Sequence, residues 1–125
     1  MDNPDSLKIA YAANILILVP VCYAMLSGPG GTGQVFQGQV TESAGLRLLV
    51  GSLWAAILMA SVGGFWAPAF FAPLLLIQIA YKALWLALFV LPLLVSGQSA
   101  AVPWGITLVF AAIVMTYPLL YWRAM

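Results

Sequence analysis

The chain has 125 residues, 65% of them hydrophobic, and its four basic and three acidic residues give a net charge of +1. A soluble domain carries charge on about a quarter of its residues, so the 6% found here cannot cover a water-facing surface. The composition excludes an ordinary soluble domain and favours a protein surrounded by lipid, and the small net charge does not indicate nucleic acid as a partner.

Four apolar stretches are long enough to cross the hydrocarbon core, which requires about 20 residues of helix. These predicted spans run from Leu7 to Leu26, Ala44 to Gly63, Phe70 to Val95, and Trp104 to Trp122. The predicted fold class is all-α, a polytopic membrane protein that forms one antiparallel four-helix bundle over residues 1–125. Because the second and third connections are short, spans two and three, and spans three and four, are expected to pack as neighbours.

The first span has an alternative interpretation as a cleaved signal peptide. The residues before it include Asp2, Asp5 and Lys8, which is the wrong balance for a positively charged leader. The apolar run is also longer than the usual 7–15 residues of a signal sequence. Cys22 follows Val21, whereas lipoprotein processing needs a small residue there. These features favour a retained span.

A glycine-rich segment follows the first span, and Gly28 to Gly33 matches G-x-G-x-x-G. In dinucleotide-binding proteins this motif lies between a strand and a helix of a βαβ unit. Here a transmembrane helix precedes it, so the required context is absent. We expect a flexible external turn that ends the first helix at Gly28-Pro29.

Two features mark the second span. Glu42 is expected to cap its N-terminus and to contact Arg47. Further along, small residues recur every four positions, and such spacing lets two helix backbones approach closely. The predicted helix–helix contact residues are Ser52, Ala56 and Ala60.

The third span contains a lysine near its middle, Lys82. A cation at that depth costs about 2.5–3.5 kcal/mol on insertion scales, so it is expected to face the bundle interior or a watery cavity. Glu42 lies too far along the bilayer normal to neutralise it. At helical spacing, polar and aromatic neighbours share one arc with Lys82, and polar residues of the first span can meet them. The candidate intramembrane binding cluster is Lys82, Gln78, Tyr81, Trp85, Asn14 and Tyr11.

Prolines lie inside three of the predicted spans, at Pro20, Pro92 and Pro118. Each removes one helical hydrogen bond and can kink its helix beside a cavity. An even number of spans places both termini on one side. That side carries Lys8 and Arg123, so the positive-inside rule predicts cytoplasmic termini.

Two short stretches, Ser43 to Arg47 and Tyr81 to Trp85, resemble stretches of small four-helix membrane proteins of bacteria. The resemblance covers about the middle half of the chain. It implies a four-helix fold and a bacterial inner membrane, and it implies no activity.

The sequence lacks histidine and has one cysteine, so no metal site, cofactor or enzymatic activity is predicted. The expected surroundings are the lipid bilayer, with a second copy or another membrane protein as a possible partner. The leading hypothesis is a non-enzymatic accessory or assembly protein that binds other helices. The alternative is a small transporter or channel subunit organised around Lys82, and a membrane enzyme or quinone-site subunit ranks last. Whether Lys82 only fixes helix register or binds a ligand stays open at this level.

Overall fold

The computed structural model describes residues 4–124, and within them the regular structure is entirely helical. The elements in chain order are α1 (Pro4–Ser27), α2 (Gly30–Val35), α3 (Ala44–Gly64), α4 (Ala72–Trp85), a π-helical turn (Leu86–Val90), α5 (Leu91–Val95), a 3-10 turn (Ser99–Ala101) and α6 (Trp104–Ala124). Four stretches are long and apolar enough to cross a membrane: Asp5–Ser27, Ala44–Gly64, Ala72–Val95 and Trp104–Ala124. They are called the first to fourth spans below, and they confirm the predicted all-α class and the four stretches.

Proline and glycine set the ends of the spans, as their chemistry predicts. α1 ends at Ser27, directly before the Gly28-Pro29 pair. α6 begins after Pro103, whose carbonyl accepts a hydrogen bond from the Thr107 N–H at 3.0 Å. A proline at a helix start loses nothing, because the first N–H groups have no partner within the helix.

The third span, Ala72–Val95, is not a regular α-helix over its whole length. It widens into a π-helical turn over Leu86–Val90, where the Leu91 N–H bonds the Leu86 carbonyl five residues earlier. Pro92 follows immediately and has no N–H to donate to the Leu88 carbonyl. The missing bond and the proline ring account for a widened turn at this position.

The glycine segment is a short helix, α2, and the expected flexible turn was wrong. Gly31 lies so close to α1 that a side-chain Cβ there would overlap the Ala24 carbonyl. The Thr32 hydroxyl donates a hydrogen bond to Glu42 at 2.7 Å. This bond joins α2 to the residues just before α3, within the connection between the first and second spans. Glycine at this position therefore serves close backbone packing rather than flexibility.

The helix neighbours differ in one respect from those predicted. α4 packs on α6, as the short connection indicated, but α3 makes few contacts with α4. α3 packs instead on α1, which also contacts α2 and α6. The short connection between the second and third spans thus joins helices that make few contacts with each other, and α3 lies mainly against α1.

Of the three small residues predicted to make a helix contact, two lie on the outer surface of this chain. Ser52 and Ala56 are exposed and Ala60 is only half-buried. The close approach occurs on the opposite side of α3, where a Cβ on Gly51 would lie 2.8 Å from the Leu26 side chain. A Cβ on Gly64 would likewise overlap the Tyr11 ring. Gly51 and Gly64 therefore allow the close contact of α3 with α1, because the absence of a side chain leaves room for Leu26 and Tyr11.

The outer surface of the bundle is apolar, whereas that of a water-soluble domain is rich in polar and charged side chains. Large apolar side chains face outward on all four spans, and Leu16 and Leu88 are 77% and 74% exposed. Inside, Asn14, Gln78 and Lys82 are at most 2% exposed. An apolar exterior with several polar side chains buried inside is typical of a protein whose solvent is lipid.

Candidate functional site: a cavity beside Lys82

The interior of the bundle contains a cavity of about 340 Å³. Its walls come mainly from α1 and α6, with α2 and the following Gln37 at one end, one side chain from α3 and two from α4. The lining residues are Asn14, Ile17, Leu18, Pro20, Val21, Ala24, Gln34, Val35, Gln37, Trp54, Gln78, Lys82, Gly105, Ile106, Val109, Phe110 and Ile113. Most of these side chains are apolar, so the few polar groups determine what the cavity can bind.

A polar layer centred on Asn14 crosses the bundle between two apolar clusters. Its amide nitrogen donates to Ser61 Oγ at 2.9 Å and to Gln78 Oε1 at 2.7 Å. Its amide oxygen accepts from Gln78 Nε2 at 3.1 Å and from the Tyr117 hydroxyl at 2.5 Å. All four spans contribute one residue. Because an amide offers two donors and two acceptor sites, the Asn14 side chain is saturated.

Lys82 lies inside the bundle but outside this hydrogen-bonded layer. Its ammonium lies 4.8 Å from the centre of the Tyr81 ring and 5.1 Å from that of Phe110. Within residues 4–124 it has neither a hydrogen bond nor an ion pair. Cation–π contacts contribute about 0.5–2 kcal/mol and leave its N–H donors free. The site thus presents an uncompensated cation to an apolar cavity.

The acidic residues of the described region are engaged elsewhere. Glu42 accepts from Arg47 Nε at 3.3 Å, so the predicted contact between these residues is confirmed. Glu42 does not cap α3, whose N-cap is Ser43 without a side-chain hydrogen bond. The carboxylate turns instead toward Thr32. Asp5 lies near Lys8 at 3.9 Å, so neither acid reaches Lys82.

Three of the other predicted cluster residues have different partners. The Tyr81 hydroxyl accepts from Trp54 Nε1 at 3.0 Å, which joins the third span to the second. Trp85 stacks on Phe89 with ring centres 5.2 Å apart. Tyr11 donates to the Pro68 carbonyl at 2.7 Å, at the far end of the bundle. Asn14, Gln78 and Lys82 therefore line the cavity, whereas Tyr11, Tyr81 and Trp85 do not.

The end of the cavity beside α2 is marked by exposed lining residues, Pro20, Gln34, Gln37 and Gly105. Gln37 fastens α2 to the fourth span, because its side-chain oxygen accepts the Gly105 N–H at 3.0 Å. Its amide nitrogen donates to the Val35 carbonyl at 3.0 Å. This exposed end is the mouth of the cavity. The side-chain hydrogen bonds that hold it can be replaced by hydrogen bonds to water.

Two residues of the fourth span that form part of the site, Phe110 and Tyr117, were not predicted from the sequence. Both are buried, and with Ile113 they follow the three- and four-residue spacing of one helix face. That spacing was the available signal. It was masked because apolar residues also occupy the other faces of α6.

The chain matches no protein-family model, no curated protein and no solved structure in the comparisons made. The described residues contain no group of three or more His, Cys, Asp or Glu side chains placed to hold a metal ion. The site geometry is therefore the basis for any functional assignment.

Proposed function

We propose that the chain is a multi-pass protein of a bacterial inner membrane, an antiparallel four-helix bundle with cytoplasmic termini. Two hydrogen bonds join elements expected on one side, Ser6 to the Leu120 carbonyl and Tyr11 to the Pro68 carbonyl. The bond between Gln37 and Gly105 joins elements expected on the other. The apolar exterior and the positive-inside rule support the placement in the membrane and the orientation.

Within that membrane, the protein binds a small lipophilic molecule beside Lys82 and acts as a small transporter or carrier subunit. The observation that carries this proposal is the free ammonium of Lys82 in a cavity with mostly apolar walls. Intramembrane charge is expensive to maintain and typically marks a substrate or ion pathway. A structural role accounts for the saturated Asn14 layer, but it leaves the Lys82 donors without partners.

A substitution that fills the cavity from α6 tests this proposal. Val109 lines the cavity, whereas its neighbour Leu108 is 62% exposed on the outer surface. Val109→Phe should abolish retention of a lipophile through purification in mild detergent, while Leu108→Phe should not, because only the former occupies cavity volume. Mass spectrometry of organic extracts from the denatured proteins measures the retained molecule. Identical extracts from both variants and the wild type would contradict ligand binding in this cavity.

A second candidate function is helix-mediated assembly, with a second copy of the chain as the partner. It is favoured by the exposure of Ser52 and Ala56 on a helix that makes few contacts with α4. Small side chains allow the close backbone approach on which association in lipid depends. An accessory or assembly role would use this outer face of α3.

If the chain self-associates through this face, a larger side chain in the face should disrupt the dimer. Ala56→Leu should convert a dimer to a monomer, because the added side chain separates the two backbones. Met59→Leu is the control, since Met59 is exposed on the same helix and is already large. Light scattering during size-exclusion chromatography in mild detergent measures the mass. An unchanged mass for Ala56→Leu, or a monomeric wild type, would argue against this interface.

A further inference from the structure

We infer that the ligand is a single-chain lipophile ending in a carboxylate, of the long-chain fatty acid class, with its head group bound by Lys82 and Gln78. This inference rests on the proposed function, because it assumes that the cavity holds a ligand. It goes further by assigning the chemistry of the head group, the number of chains and the two residues that bind the head.

The charge of the head group follows from what surrounds Lys82. The ammonium has three N–H donors and lies over the rings of Tyr81 and Phe110. Both acids in the described part of the chain lie in other ion pairs. A cation in an apolar cavity is stabilised most by an anion that also accepts its hydrogen bonds. A neutral ligand would leave the charge uncompensated.

A second donor lies one helical turn from Lys82. Gln78 Nε2 carries two hydrogens and uses one of them, on the Asn14 oxygen at 3.1 Å. Gln78 and Lys82 are four residues apart on α4, so they share one face, and both line the cavity. Two donors on one face match the two oxygens of a carboxylate. A phosphate dianion carries two negative charges, of which one ammonium would compensate only one.

The cavity walls specify the rest of the molecule. Ile17 and Val21 of α1 face the cavity, as do Ile106 and Val109 of α6, and all four are aliphatic. A volume of about 340 Å³ is near the lower end of the range of roughly 300–1,000 Å³ for ligand sites. It accommodates one acyl chain and is too small for a two-chain phospholipid with its head group.

The test uses a palmitic acid analogue with a diazirine in its chain, cross-linked to the full-length protein in nanodiscs of phosphatidylcholine. We expect labelling of cavity residues such as Ile17 and Val109. Unlabelled palmitate should compete at least about tenfold better than hexadecanol or methyl palmitate, because a hydrogen bond to a charged group contributes that much affinity. Lys82→Met should weaken labelling by a similar factor, and Lys8→Met, which removes the other lysine, should leave it unchanged.

The outcomes separate this inference from the proposed function. Equal competition by palmitate and hexadecanol in the wild type would overturn the carboxylate assignment while cavity binding stood. The same conclusion would follow if Lys82→Met retained full labelling. Labelling confined to outer residues such as Leu108, with no effect of Val109→Phe, would overturn both proposals. The head-group comparison needs only the wild-type protein, so it holds even if Lys82→Met fails to fold.

Discussion

Asn14→Leu should lower the free energy of unfolding by about 2–4 kcal/mol, although leucine is more apolar and nearly fits the site. The substitution removes four hydrogen bonds that connect the first span to the other three. Each such bond contributes about 0.6 kcal/mol on average within a membrane, and up to about 1.7. Groups left unpaired in the interior add a further penalty.

Most of that penalty falls on one residue. Ser61 still donates to the Ile57 carbonyl at 2.8 Å, and Tyr117 still reaches the Ala10 carbonyl at 3.1 Å. Gln78 loses both of its side-chain hydrogen bonds, each of which is made with Asn14, and is 0% exposed. Asn14→Leu combined with Gln78→Leu should therefore recover part of the lost stability, because removing both partners leaves fewer unpaired groups than removing one.

Reversible unfolding in mixed detergent, followed by circular dichroism, measures these changes. Thr116→Val is the control, since the Thr116 hydroxyl is exposed and bonds the Ala112 carbonyl of its own helix. It should change stability by less than about 0.5 kcal/mol. A double variant whose loss equals the sum of the single losses would show that Asn14 and Gln78 are not coupled.

The four spans and the interior position of Lys82 could be predicted because both follow from the cost of polarity in lipid. A 20-residue apolar run identifies a span regardless of its neighbours. A lysine in its middle must avoid lipid regardless of which helix it meets. Both features depend only on the local sequence and on the surrounding lipid.

The choice of helix neighbours could not be predicted in the same way. α3 is apolar on both faces, so hydrophobic periodicity does not distinguish the face of Gly51 from that of Ala56. In lipid there is no hydrophobic gain from burying one apolar face rather than the other, and close packing decides. That packing depends on side chains from α1, including Leu26 and Tyr11, which are distant in sequence.

The α2 helix illustrates a further limit, because its glycines look equivalent in sequence and are not equivalent in space. A Cβ on Gly30 or Gly33 meets no atom within 4 Å. A Cβ on Gly31 overlaps the backbone carbonyl of Ala24. A rotamer change cannot relieve that overlap, because the obstructing atom belongs to a main chain. One position in a glycine-rich run therefore determines whether α2 docks on α1.

Gly31→Ala should accordingly undock α2, whereas Gly30→Ala and Gly33→Ala should leave it in place. Overpacking typically costs about 1–3 kcal/mol, and 1 kcal/mol alone changes an opening equilibrium about fivefold. Cys22 reports on this event because it is buried in the same apolar cluster as Val35 of α2. We expect a membrane-permeant maleimide to label Cys22 at least about fivefold faster in Gly31→Ala than in the other two variants. Equal rates in all three would mean that α2 tolerates the extra methyl group, and that the contact between Gly31 and Ala24 does not hold α2 against α1.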